Sequence, residues 1–255
     1  MMKIGILCGH PMNRLFDEFQ ELDVETPYNK VHMLVGKIQQ HQVFFINRHG
    51  SYSKTPPHVI DYRANMQALA SSHVDCVISI GTVGSMKQNI TPGDVLIPHD
   101  FFDATHSRAV TFYDDSRVHV DMTDPFCPSL RTNLITASKQ MENLTVHQSG
   151  VYVATQGPRL ETVAEIGFYA TVGDIVGMTL VPEVVLAREK GLCFASVCVV
   201  CNMAAGLQKT LPVDDIKRIY AEKEAVVASI LKKTMNDLSS TSDCQCQKKI
   251  QDALL

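Results

Sequence analysis

The chain has 255 residues, 45% hydrophobic and 20% charged, with a formal net charge of -4. That suffices for one large α/β domain with a sizeable core, so a second domain is not required. Lys and Arg are scattered without a basic stripe, which argues against a nucleic-acid partner, and no apolar run approaches the roughly 20 residues that cross a bilayer. With no cleavable signal pattern at the start, a soluble cytoplasmic protein acting on small molecules is expected.

The first apolar run, residues 3–7, reads as a buried strand, followed by the loop Cys8-Gly9-His10-Pro11. Gly9 permits close approach of an anion to the backbone, and equally suits a plain turn. Residues 43–47 read as a second strand ending in Arg48-His49-Gly50. A guanidinium that can fork onto an oxyanion, next to a titratable ring, suits an anionic ligand at a strand end; in isolation the pair also fits ordinary surface. Residues 51–60 hold Pro56-Pro57 and read as loop, and residues 62–72 have helical spacing at Tyr62, Met66, Leu69 and Ala70. Residues 74–80 form a buried strand closed by Gly81-Thr82-Val83-Gly84-Ser85, which fits either a tight turn or a backbone cradle for phosphate.

Thr91-Pro92-Gly93-Asp94 is a turn and residues 95–98 a short strand. Residues 100–128 are irregular, a length that usually marks a binding loop or subunit contact, with Phe101, Phe102, Phe112, Tyr113 and Phe126 available to an interface or as a cap on the sheet. Residues 130–144 are helical. From Gly150 to Gly206 three strand-like runs (150–154, 175–178 and 194–200) are each followed by polar residues and then, for the first two, by helices over 161–170 and 182–190. Polar groups at the carboxyl ends of strands are where an open α/β sheet presents chemistry. Here they are Arg159 to Thr162, Met178 with Thr179, and Asn202. Taken singly, Asn202 fits a cap or turn, Glu161 a first-turn carboxylate and Arg159 a surface cation.

A last amphipathic helix covers residues 213–235, and the domain is expected to span 1–236, leaving 237–255 as a polar, disordered tail. Of eight cysteines, Cys8, Cys76, Cys127, Cys193, Cys198 and Cys201 lie in apolar runs and read as small core hydrophobes. Cys244 and Cys246 lie in the tail, where two thiols without a nearby His do not complete a zinc site, so no metal site is expected.

Arg48-His49-Gly50, Asp61-Tyr62-Arg63-Ala64-Asn65, Pro92-Gly93-Asp94, Asp124-Pro125-Phe126-Cys127-Pro128, Gly157-Pro158-Arg159 with Ala164-Glu165, and Gly177-Met178-Thr179 before Val181-Pro182-Glu183 occur in colinear order over residues 3–235. Together they resemble the trimeric purine nucleoside and methylthioadenosine phosphorylases. Residues 155–165 and Asn202 before Ala204-Ala205-Gly206 are most similar to the methylthioinosine branch.

The resemblance implies an α/β fold, a single-domain mixed sheet with a distorted barrel-like core flanked by helices. It also implies a homotrimer that needs no cofactor. Inorganic phosphate, as co-substrate, displaces a purine from the anomeric carbon of a nucleoside. It assigns phosphate to Arg48, His49, Thr82 and Thr179, with His10 as a substitute donor when protonated. Ribose falls to Met178, the base to Leu160, Glu161 and Asn202, and the 5' substituent to Val213 and Ile216. His119 would reach in from a neighbouring subunit. Asn202 can donate to O6 or N7 and Glu161 can accept from N1-H, which only the oxo base carries, so a 6-oxopurine such as S-methyl-5'-thioinosine is expected.

The chain departs from the family at Cys8-Gly9-His10-Pro11, which replaces a glycine-rich phosphate loop, at Gly81, where relatives carry a polar side chain, and at Ser53, where they carry a His. Beside the leading reading stand a methylthioadenosine phosphorylase, a nucleoside hydrolase and a nucleoside-binding protein without turnover.

Overall fold

The computed structural model describes the chain apart from residues 13, 51–53, 211–212, 239–243, 252 and 254–255 and the side chain of residue 213. In chain order the elements are β1 (Lys3–Cys8), β2 (Phe19–Glu25), β3 (Lys30–Ile38), β4 (His41–Asn47), α1 (Tyr62–Ser71), β5 (Cys76–Ser85), β6 (Val95–Leu96), β7 (Asp100–Ala104), α2 (Pro128–Lys139), β8 (Val146–His147), β9 (Val151–Thr155), α3 (Val163–Tyr169), β10 (Ile175–Gly177), α4 (Leu180–Glu189), β11 (Cys193–Met203), α5 (Val213–Asp237) and α6 (Cys246–Gln251). Among the described residues these strands join one mixed sheet in the order β2-β3-β4-β1-β5-β10-β9-β7, with β11 on β5 and β6, and β8 on β6.

The central strands read as unbroken apolar runs because both faces of the sheet are covered. Ile4, Ile6 and Cys8 of β1, Ile78 of β5 and Val197 of β11 pack in one core with Leu130 and Leu134 of α2 and Val227 and Leu231 of α5. Leu7, Val77 and Phe194, on the other face, pack in a second core with Met66 and Leu69 of α1 and Val184 and Leu186 of α4. The hairpin of β2 and β3 has no counterpart in the sequence reading. β2 is almost wholly exposed, so its sequence FQELDVE carries no apolar face to betray it.

β5 positions the site. Along one edge it pairs with β11 from Cys76 to Ser85. Along the other, β1 leaves at the Cys8–Ile80 pair and β10 arrives only at the Gly84–Val176 pair. Gly81 to Val83 on that edge therefore face no strand, and the sheet splays open there. The segment from Gly81 to Ser85, expected to be a turn or cradle after the strand, is strand throughout.

Three further boundaries shift. α2 stops at Lys139, short of residue 144. α3 starts after Thr162, whose hydroxyl accepts from Glu165 N–H while Glu165 reaches back to the Thr162 N–H, so Glu161 lies outside the helix and not in its first turn. The tail, expected to be disordered, contains α6, with Cys246 and Ala253 buried. No described helix is long and apolar enough to cross a membrane.

Candidate active site

The splayed edge of β5 opens onto a cavity of about 280 Å³. Its lining brings together His10, Arg48, His49, Thr82, Leu160, Glu161, Met178, Thr179, Asn202 and Ile216. These residues come from seven separate stretches of chain, so their convergence is a property of the fold. Two expected members, Val213 and His119, are not in this set. The side chain of Val213 lies outside the described residues, as does Ser53 altogether. His119 is exposed, its N–H bonded to the Ala253 carbonyl, and it does not line the cavity of its own chain.

Arg48 corrects one expectation. Its Nε and Nη2 fork onto Glu183 at 2.7 and 3.1 Å, and Nη2 also meets Leu7 O at 3.0 Å and Ser79 Oγ at 2.9 Å, while Nη1 donates to Ile80 O at 2.8 Å. Leu7 and Ile80 sit where β1 and β5 part, so Arg48 fills the fork in the sheet and satisfies the carbonyls there. Both Arg48 and Glu183 are buried. The bidentate face expected to grip an oxyanion is thus occupied by a carboxylate, and of the five guanidinium hydrogens one on Nη1 is left for a ligand among the described residues.

Two histidines stand beside it. His49 Nδ1 donates to Thr55 O at 2.6 Å, which leaves Nε2 as an acceptor in the neutral ring. A Cβ on Gly9 would lie 3.0 Å from that nitrogen, so glycine lets the loop close over the ring. His10 stacks on Tyr220 with centroids 4.2 Å apart. Burial, then the nearby His49 and Arg48, push its pKa down to about 4, and burial also lowers His49. His10 is therefore neutral near pH 7 and offers one ring N–H, in place of the protonated donor expected. Tyr220 Oη lies 3.2 Å from Cys8 Sγ and ties α5 to this loop, with Ile216 one turn earlier on the same face.

At the opposite end, Glu161 Oε1 accepts from Thr155 Oγ1 at 2.6 Å, which fixes a carboxylate in the turn before α3. Asn202 sits in β11 just past a register shift: Val200 faces Val83 and Asn202 faces Gly84, with Cys201 as the extra residue. Such a bulge re-aims the side chain that follows it. Asn202 Nδ2 donates to Met203 O at 2.9 Å, and since that carbonyl can only accept, the amide is set with nitrogen toward it and one N–H remaining. Neither residue is the plain cap, turn or first-turn group that each resembles alone.

Met178 is seated by Gly157, whose φ of +62 and lack of a Cβ, which would lie 2.5 Å from the Met178 sulfur, leave no room for another residue type. Arg108, not singled out in the sequence, holds this floor together. It donates to Gln156 Oε1 at 3.1 Å, to the carbonyls of Thr155 and Gln156 at 3.2 and 2.8 Å, and to those of Met178 and Val181. It also lies over the Tyr62 ring. Its only sequence signal is a place in the long irregular segment 100–128. Thr179 precedes α4 but its hydroxyl caps nothing, which leaves it to the cavity.

The arrangement has an anion-compatible end, with one Arg48 N–H, two neutral imidazoles and the open edge of β5, and a carboxylate with an amide at the other. No covalent nucleophile is required for chemistry that runs on positioning and electrostatics.

A profile of the Phosphorylase superfamily matches residues 3–236. A protein of Pyrococcus furiosus named S-methyl-5'-thioadenosine phosphorylase is 39% identical over 249 residues, 96% of this chain and 96% of its own. One of Methanothermobacter thermautotrophicus named probable S-methyl-5'-thioinosine phosphorylase is 43% identical over 231 residues, 89% of this chain and 80% of its own. Among solved structures, the methylthioadenosine phosphorylase from Schistosoma mansoni in complex with tubercidin superposes with a TM-score of 0.92 at 29% identity, covering 100% of this chain and 99% of that one.

Proposed function

The chain belongs to the phosphorylase superfamily, and from that premise we propose that it is a purine nucleoside phosphorylase whose preferred base is a 6-oxopurine. The reaction is phosphorolysis: a phosphate oxygen bonds to the anomeric carbon as the glycosidic bond breaks, and the bonding pair leaves on the purine. The products are free base and pentose 1-phosphate.

One observation carries the reading: Glu161 and Asn202 line the same cavity as Arg48, His49, Thr82 and Thr179. On this reading, phosphate lies against the open edge of β5, taking the remaining Nη1 hydrogen of Arg48 and the Thr179 hydroxyl. His49 Nε2, an acceptor, meets the P–OH of monohydrogen phosphate, a fit that a second donor would not make. Met178 lies under the ribose and Ile216 near the 5' group. Glu161 accepts N1-H, and the remaining N–H of Asn202 donates to O6 or N7, where negative charge grows as the bond breaks.

A 6-aminopurine carries neither N1-H nor an acceptor at position 6, so each mismatch costs about 1–3 kcal/mol in a buried pocket. Two mismatches separate the substrates by a factor on the order of 10² to 10⁴. Methylthioadenosine is the second reading, favoured by the name of the Pyrococcus furiosus relative. We also propose a homotrimer. Leu160, Val163, Phe168 and Leu207 are exposed apolar side chains that a neighbouring copy would cover, and exposed His119 is free to serve the next subunit.

The test is a panel of methylthioinosine, inosine and methylthioadenosine, each with and without phosphate. Base release that needs phosphate and is fastest on an oxo substrate supports the proposal. Release independent of phosphate would make the protein a hydrolase, and faster turnover of the amino substrate would overturn the assignment of Asn202 and Glu161.

A further inference from the structure

Away from the purine cavity, Cys127, Cys193, Cys244 and Cys246 come together with their sulfurs all within 4.8 Å of one another. They arrive from three segments. Cys127 precedes α2 and its N–H donates to Phe194 O at 2.8 Å, which sets it beside the start of β11, where Cys193 lies. Cys244 and Cys246 enter from the tail, and Cys193 Sγ is 3.1 Å from Cys244 Sγ. The tail pair therefore does not stand alone, as its sequence surroundings suggest. Two buried thiols that read as core hydrophobes complete it.

We propose that these four cysteines bind one zinc ion as a tetrathiolate site that fastens the C-terminal tail to the body of the protein. Zinc bound by four thiolates at about 2.3 Å places the sulfurs at the corners of a tetrahedron with edges of about 3.8 Å. That demands four sulfurs mutually close, as here. Two separate disulfides demand only close pairs. Thiolate sulfur is the ligand type that selects zinc over the hard cations.

The tail also needs such a fastening. α6 has six residues, too few to be stable alone, and its buried residues are limited to Cys246. Beyond Cys246 and the buried Ala253, its ties include Lys249 to Asp121 at 2.9 Å and Ala253 O to the His119 N–H. Removing the site is predicted to release this segment while leaving the purine cavity, which shares no residue with the cluster, intact.

Full-length protein purified under reducing conditions is expected to retain about one zinc per chain through dialysis and to lose it as the thiols are blocked. Cobalt(II) added to the stripped protein should give the thiolate charge-transfer and d–d absorption of a tetrahedral site. Cys246→Ser should lower the retained zinc at least tenfold and abolish those bands with the circular dichroism spectrum preserved. If that variant fails to fold, the wild-type cobalt spectrum decides alone. Reduced wild-type protein that holds no zinc and gives no cobalt bands overturns the proposal. So does a thiol count of four in place of eight on denatured, unreduced protein, which would mean that the cluster pairs as disulfides.

Discussion

Gly84 and Asn202 face each other across β5 and β11, and a Cβ at residue 84 would lie 2.9 Å from the Asn202 amide nitrogen. Glycine at this position is what lets the amide lie flat over the strand.

Gly84→Ala should therefore leave folding nearly untouched, because the crowded atom is the end of a side chain that can rotate away; a stability change within about 1 kcal/mol is expected. Rotation moves the Asn202 N–H, and kcat/KM for the 6-oxopurine substrate should fall on the order of tenfold. Thermal melting and steady-state kinetics on one preparation separate the two effects, and unchanged kinetics would remove Asn202 from base recognition.

Asn202→Asp places a carboxylate oxygen against Met203 O and against O6 of the base. Each acceptor–acceptor contact costs about 1–3 kcal/mol, so kcat/KM on methylthioinosine should drop on the order of 10² while methylthioadenosine loses less. The ratio of the two substrates is the informative quantity. A ratio that stays put contradicts the proposed pairing.

Arg108→Lys keeps the charge and loses the planar fork that joins five acceptors. A cost of about 2–3 kcal/mol in stability is expected, with KM raised as the turn at Gly157 and the Met178 backbone loosen. Denaturant unfolding and KM for nucleoside report on it, and a lysine variant indistinguishable from wild type would show that the fork is dispensable.

Acidification supplies the fourth test. In the unfolded chain His10 takes its proton near pH 6.5, whereas in the fold it does so at about 4. Between those values the unfolded state binds more protons, so stability is full above 6.5 and falls as pH drops toward 4. His49 adds to the loss with the same sign. A phosphate bound beside both rings favours their charged forms and should flatten the slope. Melting temperature measured against pH with and without phosphate reads this directly, and His10→Gln should retain only part of the decline. Identical slopes with and without phosphate would place the anion elsewhere.

The residues proposed for the base end were legible from sequence, because Asn202 closes an apolar strand and Glu161 follows one by a short turn, each in a motif with fixed neighbours. At the proposed anion end the residues were legible but their contacts were not. Nothing local to Arg48 discloses that Glu183, far along the chain, occupies its fork, and it is burial, with His49 and Arg48 nearby in the fold, that lowers His10. Arg108 was invisible for a similar reason: the carbonyls that it gathers belong to the turn after β9 and to the segment entering α4. The thiol cluster joins residues whose nearest sequence neighbours are apolar in two cases and polar in two, so composition sorted them into different classes.

The gap along β5 between Cys8–Ile80 and Gly84–Val176 makes the proposed anion end a feature of main-chain architecture. Peptide groups cannot be mutated away. A lineage can rewrite Gly9, His10 or Gly81 and alter how tightly an oxyanion is held, yet the notch itself endures as long as β1 ends before β10 begins.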